Sequence, residues 1–267
     1  MKIALITGGA SGFGLEFARL AIADQYNVVL VDINTAALGL AKHDLLIENP
    51  KASVYTICQN LAVVNASNEL YQELKRRDLE VDLLINNVGI GDFGLFAESS
   101  WHKQSLVLEL NINLLTHLTH LILPDMLMRR QGKILNVSSM AAFQPSPFMA
   151  TYYASKAYVV SFSHALSNEV QGSGVSVTVY CPGPTPTGFQ QTAGGSKGEV
   201  KKSIFLDNAK HVAKVGYLAC KQGKTLAINT WANWFLSCFA KILPLKTATK
   251  LARTVQEKNR KSLFTKK

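Results

Sequence analysis

Seven short runs of apolar residues alternate with longer stretches of helical period, and this alternation limits the chain to few architectures. The runs are Lys2–Ile6, Asn27–Val31, Ser53–Ile57, Val81–Ile85, Gly132–Val137, Val175–Tyr180 and Thr225–Ile228. Helical patterns fill 13–24, 35–48, 65–77, 101–130, 152–171 and 207–222. Strands apolar on both sides, each followed by a helix, predict a parallel sheet covered on both faces. The expected fold is α/β: a Rossmann-type, doubly wound, seven-stranded parallel sheet. One domain is expected over 1–245, followed by a basic helical tail over 246–267. Residues 188–203, GFQQTAGGSKGEVKKS, read as a glycine-rich loop.

The first run leads into Thr7-Gly8-Gly9-Ala10-Ser11-Gly12-Phe13-Gly14 and then a helix. Glycines let a backbone turn tightly and approach a ligand. Free amides at the helix start face an anion. Strand, glycine turn and helix together predict a dinucleotide pyrophosphate site; the spacing lacks the GK[ST] of a P-loop. Asp32 closes the second strand, eighteen residues beyond Gly14. A carboxylate there accepts from a ribose diol and repels a 2′-phosphate. Ile33 follows it, and the glycine loop carries no Lys or Arg. The reading is therefore NAD over NADP. Asn86-Asn87-Val88-Gly89 ends the fourth strand, where polar side chains wall the same crevice.

At 151–156 the chain reads TYYASK. On a helix of about 100° per residue, both Tyr152 and Tyr153 reach Lys156, so helical spacing alone does not choose. Together TGxxxGxG, NNxG, a serine after the fifth strand, YxxxK and a PG after the sixth resemble the short-chain dehydrogenase/reductase family. The likeness covers roughly 1–190. It implies a serine thirteen residues before the tyrosine and a tyrosine four before the lysine, which selects Ser139, Tyr152 and Lys156 over Ser138 and Tyr153. It also implies an asparagine in the preceding long helix. Asn111 and Asn113 compete, and the distances from Asn111 to Pro124 and Ser139 fit the family better.

The resemblance assigns roles. Tyr152 exchanges the proton, Ser139 holds the substrate oxygen, Lys156 binds the nicotinamide ribose and steadies the tyrosine, and Asn111 anchors a relay water. A free phenol has a pKa of about 10, and a nearby ammonium and the oxidised nicotinamide are expected to lower it. The implied cofactor contacts are Thr7, Gly8, Ser11, Gly12, Phe13, Gly14, Asp32, Asn60, Leu61, Asn87, Gly89, Tyr152, Lys156, Pro182, Gly183, Thr185 and Thr187. Two departures stand out: Asn60 replaces a common Asp, and Val88 a usual Ala. The implied reaction is NAD(H)-linked interconversion of an alcohol and a ketone or aldehyde. Phe93, Phe96, Phe143, Phe148 and Phe189 point to a hydrophobic substrate. A dinucleotide sensor without turnover is the competing class, and the complete Ser-Tyr-Lys set argues against it.

The net charge of +10 is uneven: 246–267 hold eight Lys/Arg against Glu257, or +7. This tail follows the aromatic stripe Trp231, Trp234, Phe235, Phe239, read as core, subunit interface or pocket lining, with membrane-surface contact as the competing use. No run reaches the length of a membrane span, no signal peptide is read, and a cytoplasmic homodimer or homotetramer without nucleic-acid partners is expected. Four scattered cysteines (Cys58, Cys181, Cys220, Cys238) read as reduced thiols. His117 and His120 lack a third ligand, so no metal is expected.

Overall fold

The computed structural model describes residues 2–185 and 209–264, without the side chains of 236, 238–242 and 258–264. Seven strands form one parallel sheet: β1 Ile3–Thr7, β2 Asn27–Asp32, β3 Val54–Cys58, β4 Val81–Asn86, β5 Gly132–Val137, β6 Val175–Cys181 and β7 Leu226–Ile228. Their spatial order is β3-β2-β1-β4-β5-β6-β7. The chain winds outward from β1 to β3, then crosses back to place β4 against the other side of β1. This reversal opens a crevice at the carboxyl ends of β1 and β4, the usual ligand position of doubly wound sheets. The expected seven strands are all present, and five of them (β1, β2, β3, β4 and β6) run one residue further toward that edge than the apolar pattern indicates.

Alternate residues of each strand feed opposite cores. Ala4, Ile6, Val28, Leu30 and Ile85 meet Phe17, Ala18 and Ala21 of helix α1 (Gly12–Ala23) and Val212 and Tyr217 of α7 (Ala209–Lys221) on one face. Ile3, Leu5, Val29, Val31 and Leu84 meet Leu70 of α3 (Ala66–Arg76), Leu118 and Ile122 of α5 (Leu114–Met128) and Leu166 of α6 (Ala150–Glu169) on the other. Burial of this kind stabilises by about 1.5–3 kcal/mol per large side chain. Helix α2 (Thr35–Glu48) follows β2, and Asn34 caps it by accepting from the Ala37 amide at 3.0 Å.

The long helical pattern over 101–130 is not one regular helix. Helix α4 (Trp101–Leu108) passes through a π-helical turn, Glu109–Asn113, into α5. Such turns widen the helix by one residue and re-aim the side chains on it. Taken as one unit, Trp101–Met128 contains an 18-residue window with a mean hydropathy of 1.4 and is, by length and composition alone, long and apolar enough to cross a membrane, contrary to the expectation that no segment is. Within it Leu114, Leu115, Leu118, Thr119, Ile122 and Met126 are buried against the protein interior.

Two further helices follow the sheet: α8 (Trp231–Ile242) and α9 (Leu245–Phe264). Of the aromatic stripe, Trp231, Trp234 and Phe235 are not core. Trp231 is 76 % exposed, and Trp234 and Phe235 are nearly half exposed, stacked edge to face on one another. Ala248 and Ala252 of α9 are buried, so the basic tail lies against the body rather than trailing free.

Candidate active site

The glycine turn after β1 is built by close approach. Gly8 and Gly12 have φ of +64° and +54°, the left-handed region that glycine enters without strain. The amides of Gly8 and Gly9 bond the Val31 carbonyl at 2.8 and 3.2 Å, drawing the turn over the end of β2. A Cβ on Gly14 would stand 2.0 Å from the Gly8 oxygen, so α1 starts in contact with the turn. Ser11 begins α1 in extended conformation and makes no side-chain bond to the helix, leaving its hydroxyl and the first-turn amides open to an anion. Phe13 packs beside Phe17, with ring centroids 6.4 Å apart.

Asn87 locks this turn from β4. Its Nδ2 donates to the Thr7 and Gly8 carbonyls at 2.9 and 3.2 Å. The Thr7 hydroxyl accepts from the Asn87 and Val88 amides, both at 3.1 Å, so it braces β1 to β4 and does not point to a ligand. Asp32 accepts from the Ala10 amide at 3.3 Å and the Asn34 amide at 3.1 Å, one on each oxygen. Each oxygen keeps a further lone pair for a diol. Asn60 uses its Oδ1 on the Ala62 amide at 3.0 Å, and the Leu61 side chain is buried in the core, so only its backbone is open to a cofactor. The cradle, the open helix end and the carboxylate at the β2 edge fit a dinucleotide.

Across the crevice, α6 and the segment after β5 bring Ser139, Tyr152 and Lys156 together. Ser139 caps a short 3-10 turn, Met140–Phe143, accepting from the Ala141 amide at 3.1 Å, and its side chain hydrogen-bonds the Tyr152 phenol. Ser138 instead donates to the Lys156 carbonyl at 2.8 Å and is buried. Lys156 is 5 % exposed; its Nζ donates to the Val137 carbonyl at 3.0 Å and lies 5.9 Å from the centre of the Tyr152 ring. Tyr153 stacks edge-on against Tyr152 with centroids 5.9 Å apart.

The π turn presents Asn111 inward. It is 1 % exposed, donates to the Ile90 carbonyl and the Ser155 hydroxyl at 2.9 Å each, and accepts from the Ile90 amide at 3.0 Å. Asn113 points outward and donates to Glu109 at 2.8 Å. Gly89 runs between the two: a Cβ there would stand 3.0 Å from Asn111 Oδ1 and 3.2 Å from Lys156 Nζ. Pro182 accepts from the Met140 amide at 3.0 Å, while the Gly183 amide is committed to Asn229 Oδ1 at 2.9 Å. Thr185 is buried and donates to the Gly183 carbonyl at 3.1 Å. Thr187 and Phe189 lie outside the described residues.

Burial governs the protonation of the pair. It pushes the Tyr152 phenol up to about 12, against the opposing bond from Ser139, and pushes the Lys156 ammonium down to about 8. Burial is the largest influence on the phenol, and the Ser139 bond opposes it. A lysine whose folded pKa is depressed costs stability wherever it is charged in the fold, and that cost fades as pH rises from about 8 toward the ordinary value of 10.5. Wild type should therefore gain on Lys156→Met across that window, by on the order of 1 kcal/mol per pH unit. Denaturant melts of both proteins at several pH values check this; a difference that stays flat or shrinks contradicts it.

Beside Tyr152 lies a narrow cavity of about 20 Å³, lined by Phe96, Gln104, Val107, Phe148 and Thr151 among others. Such a volume admits roughly one water-sized group. Phe148 has φ +67°, a strained conformation for a bulky residue, and its carbonyl accepts from the Gly94 amide at 2.9 Å. Its ring lies 6.2 Å from that of Phe93. Phe143 packs away, against the buried cluster of Leu115 and Val159. Asp92 accepts from Ser99 at 2.5 Å and Gln104 at 2.9 Å, and Gln104 accepts from Thr151, tying this wall to the start of α6. Nothing in the local pattern of the sequence marks Asp92, Gln104 or the Phe148 strain.

The short chain dehydrogenase family pattern matches residues 2–197. A very-long-chain 3-oxoacyl-CoA reductase of Pyrenophora tritici-repentis is 30 % identical over 246 residues, covering 88 % of this chain and 71 % of that protein. The chain spans about half the length of several other reductases it matches. Among solved structures, a short-chain dehydrogenase from Sphingobium yanoikuyae in complex with NADPH superposes with a TM-score of 0.80 at 24 % identity, covering 90 % of this chain and 94 % of that one. One from Burkholderia phymatum in complex with NAD gives 0.78 at 25 %, covering 89 % and 92 %. With the pattern matched over most of its length and the sheet order shared with such structures, the chain belongs to the short-chain dehydrogenase family of oxidoreductases.

Proposed function

We propose that the chain is an NAD(H)-dependent reductase of a hydrophobic ketone, and that the ketone is the 3-oxo group of an acyl thioester. The observation that carries this reading is the buried Tyr152, hydrogen-bonded by Ser139 and lining a cavity with Phe96 and Phe148, its phenol held protonated by burial. A phenol at about 12 keeps its proton at neutral pH and gives it up only to an oxygen that gains charge. Such a proton can pass to a carbonyl oxygen that becomes an alkoxide as hydride arrives.

The chain's residues divide the work. Gly8, Gly12 and Gly14, with the first-turn amides of α1, would hold the pyrophosphate, and Asp32 the adenine ribose. Lys156 would bind the nicotinamide ribose through protons not used on Val137. The nicotinamide supplies the hydride when bound. Ser139 would donate to the substrate oxygen beside Tyr152, and Asn111, already joined to Ser155, would order the path that returns a proton to the phenol. The relative from Pyrenophora tritici-repentis, named for a 3-oxoacyl-CoA substrate, supports the thioester assignment.

Asp32→Ala should shift the cofactor preference toward NADPH by about tenfold, taking about a third of a roughly 4 kcal/mol repulsion at short range. Binding of NADH should weaken as well, since the Ala10 and Asn34 amides lose their acceptor. Titration of wild type and variant with both cofactors checks the ratio; a wild type that prefers NADPH overturns the NAD assignment.

The substrate assignment is tested by offering 3-oxoacyl thioesters, ketosteroids and simple aliphatic ketones with NADH. The thioesters should give the highest kcat/KM. Binding of NADH with no turnover of any carbonyl would instead favour a dinucleotide sensor.

A further inference from the structure

The basic helix α9 reaches the mouth of the cavity beside Tyr152. The Arg253 guanidinium lies 5.8 Å from the centre of the Phe148 ring, which lines that cavity. One turn on, Gln256 donates to the Tyr153 hydroxyl at 3.3 Å. Buried Ala248 and Ala252 seat the helix on the body. Lys246, Lys250 and Arg253 follow helical spacing, so they share one exposed flank about 10 Å long. Lys246 and Lys250 have no anionic partner among the described residues. Arg253 bonds Glu257 through Nε only, at 2.8 Å, in an exposed pair that contributes little. The two terminal nitrogens of the guanidinium carry no partner among the described residues.

The cavity holds about one water-sized group. Phe148 lines this cavity, as does Asp92, and the Arg253 guanidinium of α9 stands over the Phe148 ring, so a substituent running out along Phe148 would meet that cation. We propose that Lys246, Lys250 and Arg253 recognise the phosphate of a phosphorylated carrier on the acyl substrate, as in a phosphopantetheine thioester. This rests on the thioester reading above. Arg grips phosphate bidentately, and the two lysines extend the positive field along the flank. A neutral ketosteroid would leave the flank without a partner.

The test compares acetoacetyl groups on coenzyme A, on phosphopantetheine and on uncharged N-acetylcysteamine. In Arg253→Gln, kcat/KM for the coenzyme A thioester should fall about tenfold relative to the N-acetylcysteamine thioester, through KM. Lys246→Gln/Lys250→Gln should act the same way, and added salt should shrink the wild-type preference. Equal losses on the coenzyme A and phosphopantetheine substrates place the contact at the phosphate that carrier proteins also bear. A loss confined to coenzyme A places it at the adenosine phosphates. If all three substrates lose alike, or none does, α9 is only a packing element and the proposal is wrong. If wild type reduces none of the three thioesters, the thioester reading itself fails.

Discussion

Tyr152→Phe should bind NADH as wild type does and reduce its ketone at least about a thousandfold more slowly. The ring fills the same buried place against Tyr153, so packing survives. What is lost is the one proton donor that Ser139 holds in position, and proton transfer by a placed side chain contributes about 10² to 10⁴ in rate. Tyr153→Phe should cost no more than a few-fold, because its hydroxyl serves Gln256 and not the reacting atoms. Steady-state rates with fluorescence titration of NADH separate the two effects. Equal losses in both variants would place the chemistry elsewhere.

Gly14→Ala should nearly abolish cofactor binding while the sheet still folds. The added carbon would fall 2.0 Å from the Gly8 oxygen and 2.9 Å from Asn87 Nδ2. Either α1 withdraws or the turn opens, and both moves dismantle the cradle that Asn87 holds. Overpacking of this kind costs about 1–3 kcal/mol, which at the upper end is about a hundredfold in affinity. Calorimetric titration with NADH reads the affinity and thermal melts read the fold. Unchanged affinity would show that the turn is not the pyrophosphate site.

Much of this arrangement is legible without coordinates, for a physical reason. Strands buried on both faces leave continuous apolar runs, so the seven strands are visible as sequence. The glycine turn is visible because only glycine tolerates Gly8's φ and Gly14's contact. The tyrosine pair is different: helix geometry allows either, and it is family spacing that selects Tyr152. Burial then separates them, since Tyr152 faces Ser139 while Tyr153 faces α9. The choice between Asn111 and Asn113 depends on a π turn that no local pattern announces.

Other features escape the sequence because they are made by distant parts of the chain. Gln256 meets Tyr153 across 103 positions. The left-handed Phe148 meets the ring of Phe93 and bonds Gly94, both more than fifty positions away. The raised phenol comes from burial in the closed interior, which no local pattern records. The period of the aromatic stripe on α8 does not separate core from interface or pocket lining, and the rings of Trp231, Trp234 and Phe235 are exposed.

The central claim is that this chain moves a hydride to a ketone carbon and a proton from Tyr152 to its oxygen. Turnover of a 3-oxoacyl thioester with NADH carrying deuterium at the transferable position, followed by mass analysis of the product, tests it most directly. The account predicts one deuterium on the new carbinol carbon in wild type and about a thousandfold less labelled product from Tyr152→Phe in the same time. Bound NADH with no deuterated alcohol in wild type would contradict it.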